Sequence, residues 1–199
     1  NVDERQELET ALVDQFGVNK ELITAETISS TISSEMKSDA VVAVIISTIC
    51  MLIYIWFRFK DIRFAASSVA ALLHDVLVVL AFYAVAKVSV GSTFIACMLT
   101  IVGYSINATI VIFDRIRENL GSMLKKDTLD ELVNRSISQT LSRSIFTSMT
   151  TFIMVAALYV LGVTSIREFA LPLMVGIVCG TYSSVCITGA LWYVMKTKM

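Results

Sequence analysis

Residues 64–86 read F-A-A-S-S-V-A-A-L-L-H-D-V-L-V-V-L-A-F-Y-A-V-A, an apolar run broken only by His74-Asp75 and two serines. A helix rises about 1.5 Å per residue, so this run is long enough to cross a hydrocarbon layer about 30 Å thick. Arg63 and Lys87 bracket it, as charges bracket a membrane span. Asp75 lies 12 residues past Arg63, about 18 Å along the helix and near mid-membrane. The same stretch therefore sets the fold class and raises the first question of function.

Four further runs share this character. Together the five cover about 40–57, 64–86, 92–113, 144–161 and 169–195. With 56% hydrophobic residues and a mean hydropathy of +0.75, the chain has more apolar surface than a water-soluble domain can hide. Lipid offers no partners for backbone amides, so the spans are expected to be helices. The predicted class is an all-α polytopic membrane domain over 39–199, preceded by the tail of a small extracytoplasmic α/β domain over 1–38. That tail, taken with Asp39, holds nine of the 17 acidic residues. Helical spacing of Leu8, Leu12, Val13 and Phe16 predicts a helix, Gly17 and Asn19 its end, and Glu21–Ile28 a strand. The chain opens at Asn1 with no leader-like stretch, and reads as a piece of a longer protein.

Lys and Arg give the orientation. The loops at 58–63, 114–143 and 196–199 carry eleven of them, and the opposite segments carry five. The excess predicts a cytoplasmic Met199 and an extracytoplasmic N-terminal segment. The connector is too long for a turn. Leu129, Leu132, Val133, Ile137 and Leu141 form one stripe, predicting a cytoplasmic amphipathic helix at about 128–142, lying on the inner face of the membrane or on the bundle.

Ionisable groups inside a span are expensive. Asp75 shares a face with Ser68 and Ala71, so it is expected to face another helix, either as a proton-coupling group or as a hydrogen-bonded structural one. His74 lies about 100° around the helix. In the third span Gly103, Asn107 and Asp114 fall near one stripe, with Tyr104, Ser105 and Thr109 alongside, predicting a polar seam inside the bundle. Arg115, Arg117 and Glu118 read as a cytoplasmic anchor. Arg143, after Gln139 and Thr140, is either an interface anchor or a cation that sets a carboxylate's proton affinity. Gly176 and Gly180 form G-x-x-x-G, a close-packing signal, and Pro172 sits near the start of the last span. Cys50, Cys97, Cys179 and Cys186 form no C-x-x-C pair, so neither a disulfide framework nor a metal site is expected. No nucleotide-binding loop or nucleophile–base arrangement can be read, so neither an enzyme nor a cofactor is expected. The net charge of −1 points to no nucleic-acid partner.

Val102–Asn119, V-G-Y-S-I-N-A-T-I-V-I-F-D-R-I-R-E-N, resembles the signature of the SecF family of protein-export subunits. Y-x-x-x-R-F at Tyr54–Phe59, His74-Asp75, Gln139–Arg143, Thr147–Thr151 and Gly180–Ser184 resemble the same family. The resemblance implies a helix bundle related to resistance–nodulation–division transporters, in the bacterial cytoplasmic membrane. It implies a SecD partner, separate or fused, with the SecYEG channel, SecA and the exported polypeptide nearby. It also implies use of the proton-motive force. A carboxylate usually follows the Asn of the motif, and here Ala108 stands there. The resemblance thus leaves proton coupling to Asp75, to Asp114 or to a SecD carboxylate, and deprives Arg143 of its natural partner. The alternatives are a scaffold subunit without ion coupling, or a small-molecule or lipid exporter of the same superfamily.

Overall fold

The computed structural model describes residues 2–17, 30–88, 90, 92–123 and 128–198. The chain divides into two compact units, Asn1–Met36 and Lys37–Met199. In the first, α1 (Val2–Phe16) ends at Gly17, whose φ of +63° places it in the left-handed region. Its N–H donates to Val13 O at 3.1 Å, closing the last turn. The predicted strand at Glu21–Ile28 lies outside the described residues. Among those described there is no strand, and the fold class is helical.

The rest is α2 (Ser30–Phe59), α3 (Ile62–Ala86), α4 (Ser92–Gly121), α5 (Leu129–Leu161), α6 (Thr164–Tyr182), a π-helical segment (Ser183–Thr188) and α7 (Gly189–Lys198). Five helical stretches are long and apolar enough to cross a membrane, the fifth being Ile166–Lys198. Their outer faces are apolar: Ile45, Ile49, Ile53 and Phe57 on α2, and Phe146, Ile153 and Val160 on α5, are exposed. Lipid lets a bundle show such a surface, where water would drive it inward. The turn between α2 and α3 is tight. Lys60 adopts a left-handed φ of 55°, and the Asp61 side chain caps α3 by accepting from Arg63 N at 3.0 Å.

Two boundaries differ from those expected. The surface helix at 128–142 and the span at 144–161 are one continuous α5 of 33 residues. No Gly or Pro interrupts 129–161, so nothing stops hydrogen bonding at Ser144. One buried stripe, Leu132, Ser136, Thr140, Ser144, Ser148 and Val155, runs through the junction. At about 50 Å, α5 is longer than the hydrocarbon layer. The last span, in contrast, is interrupted. Ser183–Thr188 is a π-helical turn with i→i+5 backbone bonding, and the Thr188 side-chain hydroxyl also donates to Ser183 O at 3.1 Å. Pro172 is buried within α6 rather than in its first turn.

Two apolar clusters close the bundle. Ile55, Phe59, Phe64, Phe113, Ile116, Leu132 and Trp192 form one, with Phe64 stacked on Trp192 at 4.8 Å between ring centres. Val79, Tyr83, Met98, Ile101, Leu173 and Ile177 form the other. Along α3, α4 and the final span, polar side chains occupy the level between them.

Candidate functional site: a buried polar layer

Asp75 is completely buried. Its Oδ2 accepts from Ser105 Oγ of α4 at 2.5 Å and from Ser183 Oγ of the π-segment at 2.7 Å. Its Oδ1 accepts from Cys179 Sγ of α6 at 3.3 Å and lies 3.1 Å from His74 Nδ1. One carboxylate thus joins α3 to three other parts of the bundle. Next to it, Thr109 Oγ1 and Ser184 Oγ are 3.1 Å apart, and Ser184 Oγ donates to Ser105 O at 3.3 Å. Removed from water, a carboxylate must find its donors within the protein. Here four side chains surround it.

The glycines explain how the helices come so close. A Cβ at Gly176 would lie 2.5 Å from Ile101 Cδ1, and one at Gly180 would lie 3.3 Å from Ser105 Cβ. The G-x-x-x-G pair therefore lets α6 settle on α4, which brings Ser183 and Cys179 up to Asp75.

The expected seam is rotated. Gly103 and Asn107 are exposed, and Ser105 and Thr109 are the buried residues of α4 at this level. The reason is register: Met98, Ile101, Val102, Ser105, Thr109, Ile112 and Phe113 form one i, i+3/i+4 face, and Asn107 lies off it. Asp114 is partly exposed and pairs with Arg58 of α2 at 2.8 Å.

Asn107 and Arg143 instead line one cavity. A cavity of about 70 Å³ between α4 and α5 is lined by Tyr104, Asn107, Ala108, Arg143, Ser144 and Thr147. Ser144 Oγ is buried there without a hydrogen-bond partner. Among the described residues no carboxylate pairs with Arg143.

The anchor does more than face water. Arg115 bonds Glu118 at 2.5 Å and donates to Gln139 Oε1 of α5 at 2.7 Å, and Arg117 donates to Arg58 O at 3.1 Å. Asn119, which the sequence reading did not single out, is buried and donates to Ser136 Oγ at 2.7 Å and to Gln139 Oε1 at 3.0 Å. Thr140 is spent locally, donating to Ser136 O at 3.1 Å. Cys179, Ser183 and Ser184 were also missed as site residues. Two signals pointed there: their placement one turn beyond Gly176 and Gly180, and, for the serines, the family resemblance of Gly180–Ser184.

Comparison with known proteins agrees with this architecture. Residues 8–198 match the family described as protein export membrane protein SecD/SecF, C-terminal. The chain is 44% identical over 182 residues to the protein translocase subunit SecF of Alicyclobacillus acidocaldarius, covering 90% of this chain and 58% of that protein. It is 42% identical over 197 residues to the protein translocase subunit SecDF of Thermus thermophilus, covering 98% of this chain and 26% of that protein. The crystal structure of SecDF from Thermus thermophilus superposes with a TM-score of 0.85 at 40% identity, over 99% of this chain and 27% of that one. The chain thus spans little more than half of the SecF relative and about a quarter of the SecDF relative. The fold agrees with that structure, and the chain belongs to the SecD/SecF family of protein-export membrane proteins.

Proposed function

We propose that this protein works as a SecF-type subunit of the Sec translocase, assisting export of polypeptides across the cytoplasmic membrane together with SecD and drawing on the proton-motive force. SecD sequence is joined to SecF sequence in relatives named SecDF, which supports SecD as the partner. SecYEG, SecA and the exported chain complete the proposed assembly, with the N-terminal segment extracytoplasmic and Met199 cytoplasmic.

The observation that carries the reading is Arg143 against a polar cavity that has no carboxylate of its own. An arginine at the edge of a membrane bundle is stabilised by an acidic partner. Ala108 leaves the space for one, and the SecD half supplies it in this reading. Protonation of that acid would weaken its hold on Arg143 and shift α5 relative to α4, biasing two packings of the bundle. Asp75 has a different role. Its four partners meet its lone pairs on every side, so it serves as a fixed staple that holds α3, α4 and α6 together while α5 moves against them.

The test is polypeptide export into vesicles holding the full-length protein with its SecD. Arg143→Gln should lower the gradient-dependent rate by about 5–150-fold, the range of a 1–3 kcal/mol coupling. Collapsing the gradient should remove the difference between parent and variant. The scaffold reading, favoured by Ala108, predicts the same export rate in both with or without a gradient, and that result would replace the proposal.

A further inference from the structure

We propose that His74, Asp75 and Cys179 form a binding site for a borderline-soft divalent metal ion of the zinc class, where α3 meets the end of α6. The three side chains offer one ligand atom each, all within 4.8 Å of one another. His74 Nδ1 and Asp75 Oδ1 are 3.1 Å apart, Cys179 Sγ and Asp75 Oδ1 are 3.3 Å apart, and Cys179 Sγ and His74 Nδ1 are 3.9 Å apart. Zinc binds nitrogen and oxygen at about 2.0–2.2 Å and sulfur at about 2.3 Å, so its tetrahedral ligands lie about 3.3–3.6 Å from one another. The triangle already has nearly that size, and side-chain torsion alone closes the difference.

The donor set selects the ion. Imidazole and thiolate favour zinc or cobalt, whereas magnesium and calcium prefer oxygen ligands. Ser105 and Ser183 hold the other carboxylate oxygen and so orient Asp75 toward the ion. Charge fits as well. A divalent ion with one thiolate and one carboxylate is neutral overall, which suits a site surrounded by apolar clusters. On binding, the Cys179 thiol gives its proton to water and its sulfur bonds the metal. His74 shifts its ring proton from Nδ1, where it faces Asp75, to Nε2, and presents the freed Nδ1 lone pair to the metal. Of the pair, His74 has a side chain 37% exposed while Asp75 is sealed, so His74 is the ligand free to reorient. Three protein ligands leave a fourth position for water. Sequence spacing hides the site, since Cys179 is 104 residues from Asp75.

The site does not depend on the export role, and its test is read without translocation. The full-length protein in detergent, with Cys50→Ser and Cys186→Ser to remove the exposed thiols, is titrated with cobalt(II). The expected result is one ion per chain, a thiolate-to-cobalt charge-transfer band, displacement by zinc and no competition from magnesium. Cys179→Ser should abolish the band, and His74→Gln should weaken zinc by more than the roughly 10–100-fold expected of Ser105→Ala, which removes only a hydrogen bond to the ligand Asp75. Cys97→Ser should leave the band intact. If Cys179→Ser does not fold, the parent decides: zinc must raise its thermal unfolding temperature, and His74→Gln must remove that rise. No band in the parent, a band that survives Cys179→Ser, or one lost with Cys97→Ser overturns the site.

Discussion

At the level of single residues, the weight of the account falls on Asp75. That it faces other helices was legible, because Ser68 and Ala71 on its face are small, and all three are buried. Its partners were not. Ser105 lies 30 residues away and Ser183 lies 108, and pairings at that separation depend on which faces the helices turn to each other. Interhelical hydrogen bonds in membranes average about 0.6 kcal/mol and reach about 1.7. Losing Ser105 also leaves a completely buried Asp75 oxygen with one donor fewer, which raises the cost. Ser105→Ala is therefore expected to lower unfolding stability by about 1–2 kcal/mol, measured by denaturant titration in mixed micelles. Thr100→Val is the comparison, since Thr100 donates only to Ala96 O on an exposed face, and it should change stability by less than about 0.5 kcal/mol. His74 shows the limits of helix geometry. Neighbours on a helix point about 100° apart, yet Nδ1 turns back to Asp75 Oδ1.

Among the elements, spans were readable wherever apolar runs met charged ends, and less so where the chain departs from α-helical bonding. The π-segment follows from tertiary contacts, with Ser183 and Ser184 drawn to Asp75, Thr109 and Ser105. No local spacing reports that. The split of α5 into two helices came from reading polar residues at 138–144 as the edge of the membrane. Hydroxyl side chains do not end a helix, and Ser136, Thr140, Ser144 and Ser148 continue the packed stripe as small residues. Spin labels at positions 131 and 159 should be separated by about 42 Å along the backbone, as 28 residues of straight helix require. A clearly shorter distance would mean a bend near Arg143. The G-x-x-x-G pair was legible as a packing signal, and the structure supplies its target. Gly176→Val pushes a side chain into Ile101 and is expected to cost about 1–3 kcal/mol, read from the same unfolding titration.

For the whole molecule, the bundle is organised in levels: an aromatic cluster around Phe64 and Trp192, a polar layer around Asp75, and an aliphatic cluster around Ile101 and Ile177. The excess of basic residues in the loops at 58–63, 114–143 and 196–199 carries the proposed orientation. A cysteine placed at Ser122 should react with a membrane-impermeant maleimide only when the reagent reaches the cytoplasmic side. The central claim is that Asp75 joins α3 to α4 energetically and that Arg143 stands outside this link. A double-mutant cycle of unfolding free energies tests it most directly. Asp75→Asn combined with Ser105→Ala should show a coupling of about 0.6–1.7 kcal/mol, and Asp75→Asn combined with Arg143→Gln should be additive within about 0.5 kcal/mol. Additivity in the first pair would contradict the account.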